Sequence, residues 1–514
     1  MKNIKIIIVI LFFGTVSCKK VIDLYPESNL TTENYYTNDN EVYTGLIGCY
    51  ATMQAPMNVE WQLTELRSDN TKMGVPGSSN TVNRDLSDLD VFNPSTAHPT
   101  VNTYWTSTYN VIRNANIILK SLGVDYNQNS GTLSLSPITL TISDSLRKQY
   151  AGEALVIRAN AYFNLVRLYG GVFLLTQPIS PEDAKKMNRS SVADIYKLII
   201  ADLTTASSYC SAARFTSIPT STIGRANSWV AKGLLGKVYL TLNQKNLAIA
   251  QLQDVITNSG YSLQATYANV FSITNEMNSE ILFTVRYKAG NLGLGSAFGN
   301  QFAPLGTSII NGSGLGWNYP TAEFDTISGM APTTPIDPRK VVNMAFTGTT
   351  AKLLYVRKFF ATVVTANDGE SDWPILRYAD VLLMLAEAQG FSPASITLIN
   401  QVRTRVGLPN LTGITTIASF EQALAYERRM EFAFENQRFF DLVRYNSTLT
   451  TIKADDVIKN HIAREFASHY NNYNPVVPLA ILQSNVNANK FLLPIPQREI
   501  DTNSQIVIPQ NPGY

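Results

Sequence analysis

The chain has 514 residues with 41 Lys and Arg against 39 Asp and Glu, a formal charge of +2. Apolar residues make up 45% and charged ones only 16%, below the usual ~25%. Such a near-neutral chain has a core but no long-range field, which excludes a nucleic-acid partner read through phosphate attraction.

The N-terminus opens with Lys2 and Lys5 and then an unbroken apolar run, Ile6 to Phe13. That run is too short to span a bilayer and suits the core of an export signal. Thr15-Val16-Ser17-Cys18 follows and resembles a bacterial lipobox, in which small residues precede a thiol that takes a diacylglycerol. The expected organisation is a signal peptide over 1–17, a lipidated tether over 18–40 beginning at Cys18, and one composite domain over 41–514. Of the remaining cysteines, Cys49 and Cys210 are expected to be free buried thiols, since two distant thiols make no disulfide framework.

Helical periodicity dominates the chain after the tether. Amphipathic stretches run over Glu41–Met53, Val101–Leu122, Leu146–Tyr169, Val192–Tyr209 and Ala226–Leu242. Gly170-Gly171 closes the third of these as a C-cap. Between helices, Leu133–Ser136 and Ile138–Ile142 alternate with period two around Pro137 and read as a small β-ribbon. Leu235-Gly236-x-x-Tyr239, followed by Ala248 and Leu252, keeps the spacing of a tetratricopeptide helix pair. Arg377–Gly390 and Ser395–Val406 read as another pair. Such pairs bury their apolar faces only by stacking on one another.

Two long stretches, about 58–101 and 289–352, lack a period and are rich in Gly, Pro and Asn. Loops of that length inside a compact domain are usually functional or disordered. The first offers Trp61, Arg67, Asp69, Asn70, Arg84, Phe92 and Asn93. In the second, no residue between Lys288 and Glu323 carries a formal charge, and Trp317, Asn318 and Tyr319 stand among glycines. Aromatic faces beside amide donors and acceptors suit the apolar face and hydroxyl edge of a sugar ring. For Trp317, binding and core roles both stay open.

Enzyme motifs fail in turn. There is no H-E-x-x-H, no C-x-x-C and no phosphate loop, and the three histidines make no obvious metal site. Ser145-Leu-Arg-Lys148 and Ser68-Asp69-Asn70 match fragments of the penicillin-binding signature, but in reversed order and without Lys-Thr-Gly. Glu427, Glu431 and Glu435 recur every four residues and are expected to share one helical stripe. They could work as general acid and base. The arginines at 403, 405, 428, 429, 438 and 444 favour an internal ion-pair network instead. Arg377 and Asp380, at i,i+3, are expected to pair.

Three segments together carry a family resemblance. They are Trp373-Pro374-Ile375-Leu376-Arg377-Tyr378-Ala379-Asp380, Glu427-Arg428-Arg429-Met430-Glu431-Phe432 with Asn436-Gln437-Arg438-Phe439-Phe440-Asp441, and Phe491-Leu492-Leu493-Pro494-Ile495-Pro496 leading to Asn511-Pro512-Gly513-Tyr514. They resemble the SusD/RagB family of surface nutrient-binding lipoproteins of Bacteroidetes. The resemblance implies a mostly α fold, with tetratricopeptide-like helical repeats, a loop-rich ligand-binding side and minor β-ribbons. It implies an outer-membrane, lipid-anchored, surface-facing protein that binds an oligosaccharide or polysaccharide without catalysis, cofactor or metal. It also implies a SusC-like TonB-dependent transporter as partner. A peptide-binding RagB-like role and a two-carboxylate glycoside hydrolase stand as the alternatives.

Overall fold

In the computed structural model the described residues are 35–76, 81–329, 336–347, 353–360, 365–503 and 505–514. The export signal, Cys18 and most of the tether lie outside them. The first helices are α1 (Asp39–Thr52), α2 (Gln54–Thr64), α3 (Thr81–Asp90) and α4 (Pro99–Ser121). Next come α5 (Asp144–Tyr169), α6 (Val192–Tyr209), α7 (Ser228–Thr241) and α8 (Lys245–Asn258). The C-terminal part holds α9 (Tyr378–Gln389), α10 (Pro393–Arg405), α11 (Ile417–Glu431) and α12 (Arg438–Thr448).

Local chemistry sets many of these ends. The Ser143 side chain accepts from the Leu146 amide at the start of α5, and Gly170 at φ 73° ends it. Ser191 caps α6 in the same way, and Pro99 stands in the first turn of α4. Thr416 and Ser419 form a reciprocal capping box on α11.

From α4 to α10 each helix packs on the next, so that α5 with α6, α7 with α8 and α9 with α10 form stacked pairs. The contact that the sequence spacing requires is present between α7 and α8. A Cβ added at Gly236 would lie 2.7 Å from Leu252, and Ala248 is fully buried. The fold is therefore mostly α with tetratricopeptide-like pairs. Among the described residues no helix is long and apolar enough to cross a membrane.

The strands are short and form four two-stranded ribbons among the described residues. One joins β1 (Thr71–Lys72) to β5 (Tyr319–Pro320). In another, β2 (Val124–Asn127) pairs with β3 (Thr132–Leu135). This corrects the expected ribbon. The partner of 132–135 is the preceding segment, and Ile138–Ile142 forms no strand, making only an isolated bridge from Thr141 to Asn38. Alternation marks an extended segment but does not say which neighbour it pairs with.

The helix expected from Arg377 begins one residue later, because Trp373–Arg377 is a strand paired with Ile281–Val285. Its Trp373 is 1% exposed and stacks on Phe359 with centroids 4.2 Å apart. Cys49 and Cys210 are free and buried.

Candidate functional site

The two regions expected to be loops come together through the β1–β5 ribbon, but the first is largely helical, since α2 runs to Thr64, α3 fills Thr81–Asp90 and α4 starts at Pro99. The Thr321 amide donates to the Asn70 carbonyl at 3.0 Å, and Trp61 Nε1 donates to Gln301 Oε1 at 3.0 Å. Two glycines permit the approach. A Cβ on Gly74 would stand 2.0 Å from the Gly316 carbonyl oxygen, and Gly316 itself has φ 64°.

Six of the ten expected contact residues turn inward, which corrects their assignment. Trp61, Arg67, Asp69, Asn70, Phe92 and Asn318 are all at most 2% exposed. Trp61 meets Phe302 edge-to-face at 5.2 Å. Arg67 donates to the carbonyls of Lys490 (2.6 Å) and Phe491 (3.1 Å), with its guanidinium 4.3 Å from the Phe439 ring and 5.2 Å from Phe92. Asp69 accepts from Arg438 Nε at 2.7 Å and Nη2 at 2.9 Å, and lies 3.2 Å from Arg429. Burial would raise the Asp69 pKa, but the charges of Arg429 and Arg438 outweigh it and hold it well below the usual range. Asn70 Oδ1 accepts from Arg429 Nε at 2.9 Å. Asp69 and Asn70 thus fasten the segment after α2 to the end of α11 and the start of α12.

Of the other four, Arg84 and Asn93 are exposed, on α3 and just beyond it. Arg84 pairs with Asp85. Among the described residues, no hydrogen bond, ion pair or ring contact joins Arg84 or Asn93 to Trp317 or Tyr319.

Trp317 and Tyr319 are half-buried and lie on the loop side. The loop before them closes on itself, the Gly306 amide donating to the Gly314 carbonyl and the Gly314 amide to the Thr307 carbonyl. Tyr319 Oη accepts from the Leu305 amide at 3.1 Å, and the Trp317 amide donates to the Gln301 carbonyl at 2.9 Å. The Trp317 and Tyr319 side chains are thus placed from the backbone of one loop. The same loop exposes Leu305 (54%) and Ile309 (43%), with Ser308 and Asn311 beside them in sequence. Sequence reasoning missed Leu305 and Ile309. The signal was apolar residues in a Gly- and Ser-rich loop that follow neither a helical nor a strand period.

The carboxylates of α11 are structural. Glu427 and Glu431 are fully buried at its end, where each accepts from Arg339 Nη1 at 2.6 Å and 3.1 Å. The expected single stripe breaks there. The helix stops at Glu431, and Phe434 and Asn436 take positive φ before α12 begins. Glu435 nevertheless returns to the cluster, because Arg377 bonds Glu280, Glu431 and Glu435 together. Arg377 therefore does not pair with Asp380, which instead holds Lys237 at 2.9 Å and Arg428 at 2.8 Å. Each carboxylate oxygen of Glu427, Glu431 and Glu435 is engaged by a cation.

Asp85, Asp88 and His98 could be grouped as ion ligands. Both His98 nitrogens are already engaged, however. Nε2 contacts the Asp85 carbonyl at 2.8 Å and Nδ1 accepts from the Val101 amide at 3.4 Å. The ring has no lone pair left for a metal.

Glu65 makes one pH-dependent prediction. It is 1% exposed, accepts from the Asn436 amide at 2.6 Å, and burial pushes its pKa up from 4.5 to about 8. A carboxyl raised on folding stabilises fully below its unfolded pKa and loses that contribution as pH rises through the folded value. Relative to wild type, Glu65→Gln should therefore gain roughly 1 kcal/mol per pH unit between 4.5 and 8. Urea denaturation of both proteins at several pH values checks this, and parallel stability curves would refute it.

With the geometry in view, the chain can be set beside known proteins. The profile of the SusD family matches residues 333–514. A second profile, described as starch-binding associating with outer membrane, matches residues 23–240. SusD-like protein P25 of Formosa agariphila is 26% identical, covering 97% of this chain and 96% of that protein. A SusD-like protein of Bacteroides ovatus is 24% identical, over 82% and 79%. Among solved structures, a laminarin binding SusD-like protein superposes with a TM-score of 0.74 at 24% identity, covering 93% of this chain and all of the other. Surface glycan-binding protein A from Bacteroides thetaiotaomicron, in complex with laminarihexaose, superposes at 0.68 with 18% identity, covering 92% of this chain and all of the other.

Proposed function

Since this chain belongs to the SusD family, we propose that it captures an oligosaccharide at the outer membrane and passes it to a SusC-like TonB-dependent transporter. One observation carries the reading: Trp317 and Tyr319 are both partly exposed on a loop that carries no charge and also exposes Leu305 and Ile309. Neutral sugars need such a surface, because desolvating a charge would oppose binding while aromatic carbons cover the ring's apolar face. The glycans bound by the structural neighbours favour a carbohydrate over a peptide. Binding by contact alone also fits the engaged state of the α11 carboxylates. An acyl chain on Cys18 supplies the anchor, and the family description of outer-membrane association supports that placement.

Calorimetric titration with laminarin, laminarihexaose and a panel of other neutral polysaccharides tests this reading. At least one should bind, and Trp317→Ala and Tyr319→Ala should each weaken it about tenfold or more, as for aromatic hot spots. Full affinity in both variants would remove the site, and release of new reducing ends by the purified protein would remove the non-catalytic reading. The anchor is checked in cells by labelled palmitate, whose incorporation should vanish in Cys18→Ser.

A further inference from the structure

A separate cleft of about 470 Å³ lies between α4, the segment from Phe173 to Met187, and the C-terminal residues Glu499, Thr502, Asn503 and Ile508. Its volume falls within the range of small-ligand sites. The Tyr109 and Phe173 rings form one wall, with centroids 6.1 Å apart. The Tyr109 hydroxyl is engaged by the Phe173 carbonyl at 2.9 Å, so this wall offers ring carbons rather than a polar group. Leu175, Ile179 and Met187 add aliphatic surface.

The walls are braced from behind. Arg189 donates to the carbonyls of Gly171 and Pro509, both at 2.7 Å, and to Asn511 Oδ1 at 2.6 Å.

One polar group in this lining is unexplained. The Glu499 carboxylate is half-buried, yet among the described residues it has no hydrogen bond and no ion pair. Burial raises its pKa, and the charge of the neighbouring Arg498 offsets this only in part. The one basic side chain in the lining, Lys185, is bonded to Glu182 at 2.9 Å.

We propose that this cleft receives a lysine or arginine side chain, together with an apolar neighbour, from a partner polypeptide. The methylene stem would lie on Leu175, Ile179 and Met187. The cationic head would meet the faces of Tyr109 and Phe173 and pair with Glu499. A sugar suits the cleft less well, because most of its lining cannot answer hydroxyl groups. The volume exceeds one side chain, which leaves room for the apolar neighbour.

The test uses the full chain and a capped leucine–lysine–leucine tripeptide, with a twin carrying norleucine for lysine. The lysine peptide should bind at least ~10-fold tighter than its neutral twin. Glu499→Gln should erase that difference. Ala184→Trp, at the exposed rim, should abolish binding of both without touching the carboxylate. Trp317→Ala should leave peptide binding unchanged, which separates this proposal from the glycan reading. Melting curves confirm that each variant is folded. Equal affinity for the two peptides, or none for either at millimolar concentration, overturns the proposal. So does binding of hexylamine without the lysine peptide, or laminarihexaose binding that Ala184→Trp removes.

Discussion

Replacing Glu431 by alanine is expected to cost about 3–5 kcal/mol, a large share of the stability of a typical protein. Glu431 is fully buried and accepts from Arg339 at 3.1 Å, from Arg377 at 3.0 Å, and from Arg405. Its removal leaves five cations, Arg339, Arg377, Arg403, Arg405 and Lys358, to share the four carboxylates of Glu280, Glu427, Glu435 and Asp337, with excess positive charge in a buried cluster. Arg377 comes from the end of a strand, Arg405 from the end of α10, and Arg339 from the second loop region, so the loss loosens three parts of the fold together. Lys459→Ala is the control. That i,i+4 pair with Asp455 is more than a third exposed, so its loss should cost under ~1 kcal/mol. Urea denaturation of the two variants decides the matter. A Glu431→Ala protein within 1 kcal/mol of wild type, on the scale of a surface pair, would mean that the network is solvated.

Asp69→Ala should cost a similar ~3–5 kcal/mol, for a related reason. Its carboxylate holds Arg429 and Arg438, which among the described residues have no other carboxylate ion pair apart from the 3.3 Å contact of Arg429 with Glu323. The consequence reaches the ligand side, because Asn70 and Thr71 continue directly into the β1–β5 ribbon beside Tyr319. Reduced glycan binding by Asp69→Ala should therefore accompany a lowered melting temperature. Reduced binding by Trp317→Ala should not. Measuring both quantities in both variants separates a fastening residue from a contact residue. An Asp69→Ala protein of wild-type stability that no longer binds would return Asp69 to the contact surface.

That contrast marks how far the sequence could be read. The helices were legible, because an apolar stripe of period 3.6 is a local property, and α6 occupies the expected residues, Val192–Tyr209. The close-packed pair at Gly236 and Ala248 was legible for the same reason, since small residues at fixed spacing permit only close approach. The break between α11 and α12 was not. Glu435 keeps the four-residue rhythm, yet Phe434 and Asn436 leave the helix through positive φ, and no glycine or proline marks the place.

Composition and local pattern by themselves determined a neutral, mostly helical chain and its stacked pairs. The tertiary structure alone decided which polar loop residues face outward. Asp69 and Arg438 are 369 positions apart, and Arg67 and Phe491 are 424 apart. A charge or amide in a loop looks the same in sequence whether it awaits a ligand or answers a distant helix end. Burial is settled only when those segments close, because a buried ion is tolerated where its counter-charge arrives and nowhere else.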